Sequence, residues 1–303
     1  MYQKFTLAAM AAASGLNEWQ FYDAGFFLLA IPVVFIYGIC IGSFLNVVII
    51  RVPRGESLIK RSSHCMTCGA KIRIIDLIPV FSWLFLRGKC HNCGEKISPR
   101  YPIVESLNGL LYVACFLVFG FHWNTLLMCL FTSMLICIGF IDWDTMEMYD
   151  VISLMIAGLA IPAYFVTDIG IRDRLIGAAC ISIPFLLIGE ISGALIKKKT
   201  GEKVRGIELG DTILMACSGL YLGWKAVIPA TFIGIFLAVI FGLIIKKKTG
   251  NSKFAFGPYL CMGLLLGAMF GEQITDWYYA HYLAELFDAS TERVNYYSSL
   301  LLR

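Results

Sequence analysis

Uncharged apolar runs long enough to cross a bilayer recur along this chain, at 24–50, 107–141, 151–167, 226–245 and 254–271. The run at 107–141 has room for two crossings, and shorter runs lie at 175–189 and 212–224. A hydrocarbon layer of about 30 Å is crossed by about 20 apolar residues of helix, so such runs mark a polytopic membrane protein. The implied spans are 24–50, 103–121, 125–142, 151–167, 175–196, 207–224, 226–245 and 254–273. Composition argues against a pair of soluble domains: 58% of the 303 residues are hydrophobic and only 15% charged. The expected fold is all-α, with about eight transmembrane helices, one of them short; two Cys-x-x-Cys pairs in the polar stretch 51–100 give it a small zinc-ribbon-like cytoplasmic insert. The chain then divides into an N-terminal tail and first helix (1–50), an insert (51–102), a membrane domain (103–273) and a C-terminal tail (274–303).

Charge position sets the expected orientation. Of the 25 Lys and Arg residues, 19 fall in 51–100, 197–205 and 246–253. The positive-inside rule assigns all three segments to the cytoplasm. It accounts for them without nucleic acid, and basic faces of this kind suit anionic membrane lipids.

Seven of the eleven cysteines lie in apolar runs, where thiols behave as small hydrophobes. The other four form Cys65-Met66-Thr67-Cys68-Gly69 and Cys90-His91-Asn92-Cys93-Gly94, with 21 residues between the pairs. Four thiolates at this spacing suit a tetrahedral zinc ion, and the trailing glycines suit the tight turn of a knuckle. In the cytoplasm disulfides are disfavoured, and so small an insert would be folded largely by its metal. Two redox pairs are the alternative reading; His64 and His91 are read as bystanders.

Carboxylates are concentrated where apolar runs end. Residues 141–150 hold Asp142, Asp144, Glu147 and Asp150, and Glu208-Leu209-Gly210-Asp211 borders a later run. Ionisable groups at membrane depth are costly and mark function by default. With the basic loops cytoplasmic, counting crossings puts both Asp142 and Asp211 on the cytoplasmic side. Two neighbouring carboxylates cannot both ionise cheaply, so one keeps a proton. The ionised one can activate water while the neutral one polarises a carbonyl, which is aspartic-protease chemistry. The competing reading makes both interfacial residues paired with lysines. Asp144, Glu147 and Asp150 read as solvated residues or helix caps.

At these residues the chain resembles the bifunctional prepilin peptidase family of type IV pilus and type II secretion systems. The likeness covers about residues 36–272. It is carried by Gly42-Ser43-Phe44-Leu45-Asn46 through Arg51, by Pro53-Arg54-Gly55-Glu56-Ser57, by both cysteine pairs and by Ile78-Pro79-Val80-Phe81-Ser82-Trp83-Leu84. Ile97-Ser98-Pro99-Arg100-Tyr101-Pro102-Ile103-Val104-Glu105, Asp142-x-Asp144 with Asp150, Gly210-Asp211 and Phe254-Ala255-Phe256-Gly257-Pro258-Tyr259 extend it. The resemblance implies Asp142 and Asp211 as catalytic residues; Asp144, Asp150, Glu208 and Gly210 are read as candidate supporting residues beside them. It implies zinc on Cys65, Cys68, Cys90 and Cys93. It also implies cleavage of prepilin or pseudopilin leaders after a glycine at the cytoplasmic face of the bacterial inner membrane. N-methylation of the new amino terminus from S-adenosylmethionine would follow, with Glu56 and Arg54 as candidates for methyl transfer. No glycine-rich loop locates a methyl-donor site.

The chain departs from the family pattern in three places. Met148-Tyr149 stands before Asp150 where the family has an aliphatic residue and proline, Glu208 stands for the first glycine of Gly-x-Gly-Asp, and Ile213 replaces a lysine. Glu208 is expected to place a like charge beside Asp211. Two other function classes remain open. One is a diverged, non-proteolytic membrane component that binds prepilins or assembly proteins. The other is a transporter, which the lack of an internal repeat disfavours.

Overall fold

A computed structural model describes residues 24–59, 63–200, 207–250 and 254–283. The expectations for residues 1–23, for part of the basic loop after Ile196 and for the tail beyond 283 lie outside the described residues. Among the described residues there are eight principal helices: α1 (Ala24–Arg51), α3 (Arg100–Phe119), α4 (Trp123–Thr145), α5 (Asp150–Val166), α6 (Ile171–Thr200), α7 (Leu209–Leu222), α8 (Trp224–Thr249) and α9 (Gly257–Tyr278). The insert adds a five-residue helix, α2 (Phe81–Phe85), and among the described residues only isolated bridges occur in place of strands. Five helices (α1, α3, α4, α6 and α8) are long and apolar enough to cross a membrane, while α5 and α7 are apolar but shorter. At 14 residues α7 is about 21 Å long. These helices make the chain a multi-pass membrane protein.

The chain falls into two compact units. The first runs to Asp168 and takes back the segment ending at Cys261; the second runs from Ile169 to Ser252 and resumes at Met262. In the first unit α1 lies against α3 because glycines allow their backbones to meet. A Cβ on Gly38 would come within 2.7 Å of the Gly109 Cα, and one on Gly42 within 2.8 Å of the Glu105 Cα. Small residues are what close packing of membrane helices requires. A buried polar chain then ties three helices: Asn108 Nδ2 donates to the Gly38 carbonyl at 2.7 Å, Ser133 Oγ to Asn108 Oδ1 at 2.9 Å, and Tyr112 meets Ser133 at 2.9 Å. In apolar surroundings each of these polar groups would be costly alone.

In the second unit α7 is held from its C-terminal end. Gly177 of α6 meets Gly219 of α7 with no room for a side chain on either. Arg174 is 1% exposed, and its guanidinium donates to the carbonyls of Leu220 at 3.2 Å and Tyr221 at 2.6 Å, groups a helix end leaves without intrahelical partners. The uncharged run suggests a helix from 175, whereas the structure begins α6 at Ile171 and buries Arg174 within it. Gly263, Gly267 and Gly271 of α9 make a matching close contact with Ala226 and Ala230 of α8.

Candidate active site and metal centre

Asp142 occupies the last turn of α4 and is 4% exposed. Its carbonyl accepts the N–H of Met146 at 2.8 Å, and Met146 closes the helix in the left-handed region at φ +54°. Its side chain is fixed from far along the sequence: Oδ2 accepts the backbone N–H of Gly257 at 2.9 Å, where α9 begins. A Cβ on residue 257 would lie 2.7 Å from that oxygen and would also strike Met148. The neighbouring acids are placed otherwise. Asp144 pairs with Arg100 at 2.6 Å, and the same guanidinium stacks over the Phe140 ring at 5.2 Å. Glu147 is exposed, and Asp150 opens α5 from an exposed position. Tyr149 sends its hydroxyl to the Pro53 carbonyl at 3.3 Å, tying the loop after α4 to the start of the insert.

Asp211, in the second unit, is also 4% exposed and sits in the first turn of α7. It forms a reciprocal capping box with Glu208. The Glu208 side chain accepts the Asp211 N–H, and Asp211 Oδ2 accepts the Glu208 N–H at 3.3 Å. Such a box satisfies two of the donors a helix start leaves open. The carboxylate that replaces the family's glycine thus serves as the cap of the helix carrying Asp211. Gly210 lies between them in the same first turn.

The insert brings all four cysteines together. Their sulfurs lie within 4.8 Å of one another, with Cys65 and Cys93 at 3.9 Å. Each knuckle is built alike: Gly69 N–H returns to the Cys65 carbonyl at 2.9 Å and Gly94 N–H to the Cys90 carbonyl at 3.0 Å. Both glycines have positive φ, +68° and +73°. A tetrahedral ion with Zn–S bonds of ~2.3 Å spaces its sulfurs by ~3.8 Å, so the donor set fits zinc. The backbone N–H groups of Cys68 and Thr67 draw the Cys65 thiol down to about 6. For Cys93 the Glu95 N–H pulls downward, but desolvation and the surrounding sulfurs outweigh it and push the thiol up to about 12. Full ionisation of the cluster therefore needs a cation among the sulfurs.

The insert also covers a cavity of about 520 Å³ at the C-terminal end of α1. Arg54 and Glu56, singled out for methyl transfer, line it, together with Ser43, Asn46, Trp83 and Glu105. Glu105 was legible only as the last residue of the Ile97-to-Glu105 motif. In the structure it is 7% exposed and accepts the Val80 N–H at 2.7 Å.

Comparison with known proteins decides the family. Residues 36–119 match the bacterial peptidase A24 N-terminal domain, and residues 129–243 match the type IV leader peptidase family. A prepilin leader peptidase/N-methyltransferase of Aeromonas hydrophila is 33% identical over 293 residues, 84% of this chain and 96% of that protein. The chain belongs to the type IV leader peptidase family. Relatives with the same name include one from Neisseria gonorrhoeae, 34% identical over 76% of this chain and 87% of its own length. One from Myxococcus xanthus is 33% identical over 72% of this chain, a match that spans 64% of its length. No solved structure matches the chain. By family it is an enzyme, a membrane peptidase, and four clustered cysteines able to hold a metal lie within its matched N-terminal region.

Proposed function

We propose that this protein is an aspartic endopeptidase of the bacterial inner membrane. It removes the leader of type IV prepilins or pseudopilins after glycine, at the cytoplasmic face, and then methylates the new amino terminus. Asp142 and Asp211 are the catalytic pair. The observation that carries the reading is that both are 4% exposed at helix ends, in a chain whose family relatives are leader peptidases. Ionisable groups buried at membrane depth are costly and mark function by default.

The pair holds one proton between two carboxyl groups. The ionised carboxylate takes a proton from water as that water attacks the scissile carbonyl. The protonated one donates to the carbonyl oxygen, and a proton then passes to the departing amine. Gly257 orients Asp142, and the Glu208 cap orients the turn bearing Asp211. Cys65, Cys68, Cys90 and Cys93 would hold a zinc ion, which would tie the insert together. S-adenosylmethionine, when bound, would supply the methyl group to the new amino terminus, which gives up a proton. Asp144, paired with Arg100, has a structural role.

Incubation of purified protein with a full-length prepilin carrying glycine before the cleavage point tests this reading. It predicts a single cut after that glycine, and a product heavier by one methyl group when S-adenosylmethionine is present. Cutting elsewhere, or none by protein with full zinc content, contradicts it.

A further inference from the structure

One outer face of the insert is apolar. Within residues 74–85, Ile74, Ile75, Ile78, Phe81, Leu84 and Phe85 are all exposed, Ile74 at 86% and Phe85 at 85%. Apart from Ile78, these side chains lie outside the 520 Å³ cavity. Contiguous exposed apolar surface of this kind marks an interaction site, membranes included. Phe81, Leu84 and Phe85 stand at i, i+3 and i+4 of α2, which is one face of a helix. The other side of α2 packs into the insert. Trp83 Nε1–H donates to the Ile97 carbonyl at 3.1 Å, and a Cβ on Gly88 would come within 2.8 Å of the indole. The segment is therefore amphipathic, with Trp83 turned inward and the two phenylalanines outward.

This segment is tied to a membrane helix. Val80 N–H donates to Glu105 Oε2 at 2.7 Å, and Glu105 lies about 7.5 Å of helix rise beyond Arg100, where α3 begins. Ile103, in the first turn of α3, is already 56% exposed, so the lipid-facing side of that helix starts before Glu105. The turn that makes the tie is strained. Val80 has φ +62° and ψ −55°, and Phe81 N–H reaches back to the Pro79 carbonyl at 2.6 Å, a γ-turn of the positive-φ kind. A β-branched residue avoids this region, so the tie to α3 is held against backbone preference. The apolar face consequently stands at the level of the bilayer boundary.

Its charges fit an anionic lipid surface. Residues 71–89 carry Lys71, Arg73, Arg87 and Lys89, two at each end of the apolar stretch, against a single acid, Asp76. Asp76 is turned inward, with its side chain 10% exposed, and is held by Arg73 at 2.8 Å. Lys71, Arg87 and Lys89 are exposed and leave the rim of the apolar face net positive. Long basic side chains around an apolar face are what an interface with anionic headgroups selects. We propose that residues 74–85 dock the insert onto the anionic leaflet beside it. Ile74, Ile75, Phe81, Leu84 and Phe85 enter the acyl boundary, while Lys71, Arg87 and Lys89 meet headgroup phosphates. The contact sets the height of the insert, and with it the four cysteines, over the bilayer. It depends on neither cleavage nor methylation.

The test is photo-cross-linking from position 85 of the full-length, zinc-loaded protein, with Phe85 replaced by benzoylphenylalanine. The protein is held in nanodiscs of phosphatidylethanolamine and phosphatidylglycerol, with and without added prepilin. Mass spectrometry is expected to find lipid adducts, with phosphatidylglycerol at least about two-fold above its share of the bilayer. Lys71→Gln combined with Lys89→Gln is expected to remove that excess while lipid adducts persist. Absence of lipid adducts, or adducts only to prepilin or to a second copy of the chain, overturns the docking face. Capture of phosphatidylglycerol in proportion to its share overturns the anionic leaflet as its occupant. Phe85→Trp supplies a second readout. The fluorescence it adds over wild type should be quenched by lipids brominated high on the acyl chain, and an unquenched signal overturns the proposal.

Discussion

The backbone N–H of Gly257 donates to Oδ2 of Asp142 across 115 residues of sequence, at 2.9 Å. Asp142 ends α4 and Gly257 begins α9, so the bond joins two helix ends and fixes the carboxylate in one orientation. Only glycine permits it, because a Cβ at 257 would lie 2.7 Å from the bonded oxygen. Gly257→Ala is therefore expected to lower kcat for leader cleavage by about 10²-fold, the scale of an ~1 Å misplacement of a reacting group. KM and zinc content should stay near wild type. A kcat within a factor of about three of wild type would remove Gly257 from the positioning of Asp142.

Glu208 caps α7, and the prediction for it is modest. Replacing a capping side chain by alanine costs about 0.5–2 kcal/mol. In a chain of this size that lowers Tm by roughly 1–6 °C. Glu208→Ala should show that loss in a thermal melt of the solubilised protein, and Glu208→Ser should recover most of it. Cleavage should persist in both. Abolished cleavage with an unchanged Tm would mean that the carboxylate acts in the chemistry rather than on the helix.

The metal centre predicts one zinc ion per chain and loss of it in Cys65→Ser, read by elemental analysis. The sign of its pH dependence follows from the thiols. Cys65 is drawn down to about 6, so its thiolate is present above that pH and protonated below it. Zinc uptake by the metal-free protein should therefore weaken as pH falls through about 6, since thiolates are the ligands. Uptake that is unchanged at pH 5 would contradict thiolate ligation.

Arg100 joins the start of α3 to the end of α4 through Asp144, in a pair about one-third exposed on each side. Exposed pairs contribute about 0.2–1 kcal/mol. Asp144→Asn should accordingly slow cleavage less than about ten-fold and lower Tm slightly. A loss as large as that of Asp142→Asn would make Asp144 a participant in catalysis.

Local features were legible in the sequence and distant ones were not. The cysteine knuckles were readable because ligand spacing and turn glycines lie within five residues, and the structure gathers the four sulfurs as that spacing predicts. Helix positions followed from apolar runs, although α6 begins four residues before its uncharged stretch because Arg174 is buried against the carbonyls of Leu220 and Tyr221. The hold of Gly257 on Asp142 could not be read, since its partners are far apart and one is a backbone group. Glu208 read as a like charge beside Asp211, because a capping role depends on where α7 starts. Glu105 passed as part of a motif until the fold turned it toward a cavity and onto the strained Val80 turn.

The measurement closest to the central claim is leader cleavage by Asp142→Asn and Asp211→Asn beside wild type, with zinc content and helix content confirmed for each. Loss of positioned acid–base chemistry removes about 10²–10⁴-fold in rate. Each variant is predicted to fall by at least ~10²-fold with its fold intact. Cleavage at the wild-type rate by either one would contradict the aspartate pair.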